Sequence, residues 1–384
     1  MTHGDDRLRA ALQEIGDAYV ASYSRPSSTA AAGVRNVQRR QRVLRFSALG
    51  AAAAVVIGSI FVGARVLPQR DAGPAPLQKD ETPTPSATSQ PEAIAVGDAP
   101  VSLAVTDDGS LWVGHENENT VMKVGSSLDE PAVPLDTRFA PTLLATDGRT
   151  VFYGNPEINE VSQIEPDPTT AAGYGNPATD MVVAEGRLLF SSGPGMGTGC
   201  GEGSCVHSIG LSESGMTSGD VVISVGCCPI SALAVGDGHL WAASGDDLGA
   251  GIVRQSLDGP PDLLEAPRVG LPEAPTDLLL DGNTLWAALP KSKVVVRITR
   301  IDTKEWHVQT IPTDVGVSRL AVGENYVFGA GPDGSVVKVL RNGVGLCSVV
   351  ADLGGRLGDI VVADDRLYVA VTSNDTVVRL DEPK

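Results

Sequence analysis

From about residue 93 to its C-terminus the chain repeats one pattern seven times: a short apolar strand, an acidic or Asn-Gly turn, and a second strand carrying an aromatic. In order the copies read AVTDDGSLWVG, LATDGRTVFYG, VVAEGRLLFSS, AVGDGHLWAAS, LLDGNTLWAAL, AVGENYVFGAG and VVADDRLYVAV. Short apolar runs divided by turn residues are antiparallel hairpins. A third strand follows each copy, in a register of its own: TVMKV, EVSQI, CVHSI, GIVRQ, VVVRI, SVVKV and TVVRL. Prolines precede most copies (Pro100, Pro141, Pro177, Pro229, Pro275). A unit of this size cannot bury both of its faces alone and needs neighbours of its own kind. The pattern therefore predicts an all-β fold, a seven-bladed β-propeller over residues 93–384.

The chain is only 4% aromatic, yet Trp112, Phe152, Phe190, Trp241, Trp286, Phe328 and Tyr368 fall in one register. They read as inter-blade packing, each burying on the order of 150–250 Å² against the next blade. The seventh copy stops after its third strand, at TVVRLDEPK, and the missing fourth strand is available in EAIAVG (92–97), ahead of the first copy. Pairing the two ends in one blade would close the ring and leave no open edge there.

The unit GDAPVSLAVTDDGSLWVGHENENTVMKV resembles a blade of the propellers grouped with YVTN repeats, NHL repeats and streptogramin lyases. That resemblance covers about 93–384. It implies a propeller fold shared by binding scaffolds, sensors and a few enzymes. In the lyase branch a histidine usually follows the proline at the start of a blade and helps to build a metal-assisted site over the channel. Here Val101, Thr142, Ala178, Ile230 and Thr276 occupy those places. The other histidines of this region, His115, His207, His239 and His307, are scattered over unrelated strand positions and read as solvated or structural. No nucleophile elbow, phosphate loop or His-Glu-x-x-His helix takes their place. The residues thus predict a non-enzymatic domain without catalytic residues, cofactor or metal.

Ahead of the repeats lies FSALGAAAAVVIGSIFVGA, 46–64, nineteen residues without a charge. At about 1.5 Å per residue it just spans a hydrocarbon core of roughly 30 Å. Arg35, Arg39, Arg40, Arg42 and Arg45 precede it, and only Arg65 and Arg70 follow before an acidic region begins. That asymmetry predicts a plasma-membrane anchor with residues 1–45 cytoplasmic and the propeller outside. A signal peptide cleaved after Val62-Gly63-Ala64 is the alternative, against which stand the 45 preceding residues and the length of the apolar run. Residues 65–92, rich in Pro, Ser and Thr, read as an extended tether.

Charge divides the same way. Residues 1–45 hold eight arginines against four acidic side chains, and the other 21 basic and 43 acidic residues leave −22. So acidic a surface repels phosphate backbones and anionic headgroups, which argues against nucleic acid as a partner. Solubility accounts for the excess, and a cationic ligand is the alternative. Over about 5–23, Leu8, Leu12, Ile15, Tyr19 and Tyr23 form one stripe of an amphipathic helix. A lone helix of this length is marginal in water, so the stripe predicts a partner, such as a cytoplasmic regulatory protein. The whole layout resembles membrane proteins of GC-rich bacteria with a basic tail, one span and an outer propeller, some of them linked to extracytoplasmic-function sigma factors.

All five cysteines follow the candidate span, where disulfides persist. Cys200, Cys205, Cys227 and Cys228 lack the Cys-x-x-Cys spacing of a zinc knuckle and read as a disulfide cluster, its connectivity open. Cys347, three blades away, reads as the free thiol. Asp246 and Asp247 lack a calcium-loop pattern and read as a surface turn. The long glycine-rich loop around Cys200 is the most individual feature of the domain, on a rim where a protein or envelope ligand is expected to bind. Three readings follow: a membrane-anchored binding or sensing module, a tethered lyase-type enzyme, or a scaffold in an envelope complex.

Overall fold

The computed structural model describes residues 91–382 except 127–130, 157–159, 165–177, 193–203, 213–214, 225–228, 246–249, 258–266, 300–305 and 346. The stripe residues Leu8, Leu12, Ile15 and Tyr19, the apolar stretch 46–64, and Cys200, Cys227 and Cys228 lie outside them. Among the described residues no helix is long and apolar enough to cross a membrane. Among the described residues a single 3-10 turn, Thr372–Asn374, accompanies the β-strands.

The sheets number seven, all antiparallel. Blades 1 and 3 to 6 each take four strands in sequence order, and blade 2 has three among the described residues. Blade 7 combines Leu357–Ala363, Arg366–Val371 and Thr376–Asp381 with the N-terminal strand Glu92–Ala95. Its fourth strand is therefore supplied by the other end of the domain, Glu92 opposite Arg379 and Ala95 opposite Thr376. Each first strand packs on the first strand of the next blade: Pro100–Val105, Leu143–Thr146, Ala178–Ala184, Ile230–Gly236, Asp277–Asp281, Arg319–Val322 and Leu357–Ala363, which meets Pro100–Val105 again. The result is a closed seven-bladed propeller.

Hydrophobic clusters lie between blades. Trp112 packs with Val151 and Tyr153 of blade 2, and Phe152 with Val183 and Leu188 of blade 3. Trp241 meets Leu278 and Leu285, Trp286 meets Leu320 and Val327, Phe328 meets Ile360 and Leu367, and Tyr368 meets Leu103 and Leu111. All six point toward the following blade. Phe190 departs from the expected register. In blade 3 Leu189 pairs with Val182 and faces blade 4. Phe190, one residue later, turns back onto Phe152's cluster and stacks on His207 with ring centroids 5.1 Å apart. The reason is the alternation of strand side chains: Phe190 is the fourth residue of its strand, Arg187–Ser192, whereas Trp241 and Trp286 are the third of theirs, His239–Ser244 and Thr284–Leu289.

The third strand sets a cation directly across from the aromatic in five blades: Lys123 opposite Trp112, Arg254 opposite Trp241, Arg297 opposite Trp286, Lys338 opposite Phe328 and Arg379 opposite Tyr368. Lys123, Arg254 and Arg297 lie over the rings they oppose, at 5.0, 5.6 and 5.7 Å from the centroids. Such pairs are worth ~0.5–2 kcal/mol each, more where the cation is dry. They let the stem of a charged side chain cover the aromatic while the head stays near solvent.

Candidate functional site

The axis of the ring is lined by the seven first strands, and short polar side chains stitch them together. Ser102 Oγ donates to Pro141 O, Thr179 Oγ1 to Ile230 O, Ser231 Oγ to Pro275 O, Thr276 Oγ1 to Ser318 O and Thr372 Oγ1 to Pro100 O. Each bond crosses from one blade to the next. The sequence places a hydroxyl there because a neighbouring carbonyl would otherwise be left without a donor at a crowded, partly dry axis.

At one tier of the axis stand Ser102, Leu143, Asp180, Ala232, Asp277, Arg319 and Asp359, one from each blade in order. Register fixes the equivalence: Asp180 lies opposite Ser191, Asp277 opposite Ala288 and Arg319 opposite Ala330, each two residues beyond the partner of the forward-facing strand-two side chain. Each aspartate accepts a backbone N–H from the following blade. Leu233 N donates to Asp180 Oδ2 at 2.6 Å, Leu320 N to Asp277 Oδ2 at 2.7 Å, and Leu103 N to Asp359 Oδ2 at 3.0 Å. Three of the seven interfaces are thus held by a carboxylate. Arg319 Nη1 donates to the carbonyls of Thr276 and Ser318.

Three carboxylates share this channel with one guanidinium. Burial pushes Asp180 up to about 6, against the lowering effect of the Leu233 N–H and of Arg319. Burial pushes Asp277 up to about 7, with Arg319 opposing and Asp180 and Asp359 adding. Asp359 is raised as well, again chiefly by burial. Burial would lower Arg319, but the carboxylates of Asp277, Asp359 and Asp180 raise it on balance, so it stays charged.

Above this tier a cavity of about 790 Å³ opens toward the turns that join first and second strands. Asp107, Asp108, Asp281, Glu324, Asp364 and Asp365 line it, with Arg341 the one further cation. Every one of the seven turns carries an acidic residue, the remaining three being Asp147, Glu185 and Asp237. Arg341 is not available to neutralise the mouth: its Nε and Nη2 grip Asp281 at 2.9 and 2.5 Å, and its Nη1 donates to Glu324 O at 2.8 Å. Asp108 is likewise occupied, accepting from Thr106 Oγ1 and from the N–H and Oγ of Ser110, and Thr106 foremost among these holds it below the usual carboxylate range.

The histidines do not converge. His115 is buried, with Nδ1 2.9 Å from Thr120 O and Nε2 2.7 Å from Val96 O. His207 is buried beside Ser192 Oγ at 2.8 Å, and burial pushes it down to about 4, which keeps the ring neutral. His239 Nδ1 contacts Asp237 O at 2.8 Å, and His307 is exposed. Among the described residues no group of three or more His, Cys, Asp or Glu is placed to hold a metal. Asp246 and Asp247 lie outside them. Cys205 is disulfide-bonded, to a partner outside the described residues, and Cys347 is a half-buried free thiol.

Sequence reasoning missed the four charged channel residues. Their signal was present: a charge after Thr, Ser or Gly at the head of a short apolar strand, in TDMVV, TDLLL, SRLAV and GDIVV.

No protein-family model and no curated protein sequence matches the chain. Solved structures do. Virginiamycin B lyase from Staphylococcus aureus superposes with a TM-score of 0.58 at 15% identity, over 76% of this chain and 99% of that one. The WD40 β-propeller domain of Doa1 gives 0.57 at 11% identity, over 77% and 97%. A chain of the mitotic checkpoint complex gives 0.60 at 12% identity, over 83% and 99%. At these identities the likeness concerns the fold, which enzymes and non-enzymatic proteins share.

Proposed function

We propose that the chain is a single-pass membrane protein whose propeller, held outside the cytoplasm, is a non-enzymatic binding or sensing module for a cationic segment of a protein or envelope partner. In this reading residues 46–64 are the anchor, and the stripe Leu8, Leu12, Ile15 and Tyr19 contacts a cytoplasmic regulatory protein. The observation that carries the reading is the channel mouth, where the turns of blades 1, 5, 6 and 7 present carboxylates around a cavity whose lining cation, Arg341, is already engaged. Topology adds to it. Glu92 pairs with Arg379, two residues from the turn end of that blade 7 strand, so a tether ahead of it would meet the disc on the side of the acidic rim. Unscreened like charges would hold that rim away from anionic headgroups and leave it open to a cationic partner.

The test has two arms. A reporter active only outside the cytoplasm should work when fused after Lys384 and be silent when fused before residue 40; the reverse pattern sinks the topology. The full chain in detergent should bind an oligolysine peptide and not an oligoglutamate one, with affinity falling as salt rises. Glu324→Lys with Asp107→Lys should weaken that binding at least about tenfold, in line with the effect of like charge at an interface. Equal binding by the variant would refute the mouth as the site.

A further inference from the structure

We propose that the three channel aspartates form a proton-operated clasp across the blade 3–4, 5–6 and 7–1 interfaces, which makes the closed ring more stable when the surrounding medium turns acidic. The geometry carries this. Asp180, Asp277 and Asp359 sit at one tier of a single cavity, and each accepts a backbone N–H of the next blade. A carboxyl group can accept that bond whether or not it holds a proton, so protonation removes charge without opening the clasp. Like charges sharing one poorly solvated space resist simultaneous ionisation.

The surroundings offer little else to balance them. Of the seven first strands, those of blades 1, 2 and 4 bring no charged residue to the channel. The others bring Asp180, Asp277, Asp281, Arg319 and Asp359, and Asp281 is taken by Arg341. The mouth adds Asp107, Asp108, Glu324, Asp364, Asp365 and Glu382, all of one sign. Full ionisation thus leaves three negative charges on one guanidinium. The raised values of Asp180, about 6, and Asp277, about 7, agree with that deficit.

The sign follows from linkage. A carboxyl group whose value is raised on folding binds more protons in the native state than in the unfolded one. Its contribution is therefore fully present below about pH 4 and is lost as pH rises toward 6 for Asp180 and 7 for Asp277. Within that window the unfolding constant rises about tenfold per pH unit for each such group. His207 acts in the opposite sense, since its lowered value makes the native state bind fewer protons between about pH 4 and 6.5. A comparison of variants isolates the clasp from it.

The experiment is chemical denaturation of the full chain in detergent from pH 5 to pH 8.5, for wild type, Asp277→Asn and Asp180→Asn. An asparagine oxygen can still accept the Leu320 or Leu233 N–H, so the clasp persists while its titration disappears. The advantage of Asp277→Asn over wild type in folding constant should widen by at least about tenfold between pH 5 and pH 8. An offset that is the same at every pH, or a variant weaker than wild type at pH 8, overturns the proposal. Should the variants not fold, the wild type decides through carboxyl carbon resonances of labelled aspartate. At least one must titrate above pH 5.5 with a shift that reports protonation. If all titrate in the ordinary carboxylate range, there is no clasp.

Discussion

Glu92 and Arg379 stand opposite each other in the ladder that joins the two ends of the propeller, 287 residues apart in sequence, and their side chains form an ion pair. Val96 follows as a buried member of the blade 7–1 cluster, and its N–H donates to Asp375 O at 3.2 Å. Its carbonyl meets His115 Nε2, so one short segment is fastened to the third strand of blade 7 and to the second strand of blade 1.

Deleting 92–97 should therefore open the ring. It removes a whole edge strand, a buried valine and the partner of His115, a loss of several kcal/mol by ordinary burial and hydrogen-bond magnitudes. At roughly 2–4 °C per kcal/mol the melting temperature should fall by about 10 °C. Deleting 82–90 from the tether should leave it unchanged. Thermal unfolding of both deletions beside wild type is the measurement, and equal transitions would show that the terminal strand does not close the propeller.

Gly114 tests how tightly blades 1 and 2 approach. A Cβ there would run into the carbonyl oxygen of Pro141 and the Ser102 hydroxyl that bonds to it, with Leu144 Cγ 3.2 Å away. Backbone cannot move aside cheaply, so Gly114→Ala should cost about 1–3 kcal/mol through overpacking. Gly270, whose Cβ would meet nothing within 4 Å, is the control, and Gly270→Ala should be close to neutral. Denaturant midpoints of the two variants decide; comparable values would mean that the blades are not in contact there.

Much of the fold was legible because hairpins advertise themselves. An aromatic third in its strand, as Trp241 in His239–Ser244 and Trp286 in Thr284–Leu289, fixes strand, face and neighbour at once. Phe190 misled for the same reason, since one extra residue in a strand reverses the face while the local pattern still looks right. The cations across from the aromatics were visible as residues but not as partners, because pairing needs the register of a strand that itself carries no landmark. The charges at the strand heads were visible, but not that they meet in one channel. Asp180 and Asp359 are 179 residues apart, and only closure of the ring brings their strand positions to one axis. In sequence, each is a polar residue at a strand end, where polar residues are ordinary.

The cysteines give the last prediction. Cys205 is disulfide-bonded and fully buried at the start of the third strand of blade 3. Cys347 packs at the edge of the blade 5–6 cluster, and burial, helped by Asp314, pushes its thiol up to about 11. The thiolate is the reactive form, so at pH 8 the native protein should alkylate at Cys347 about a hundredfold more slowly than a free cysteine would. Unfolding without reductant should expose it, while Cys205 stays unlabelled until a reductant is added. Mass spectrometry of peptides alkylated under the three conditions reads this directly. Labelling of Cys205 before reduction would remove the bridge from blade 3. Rapid native labelling of Cys347 would show that the interface between blades 5 and 6 does not cover it.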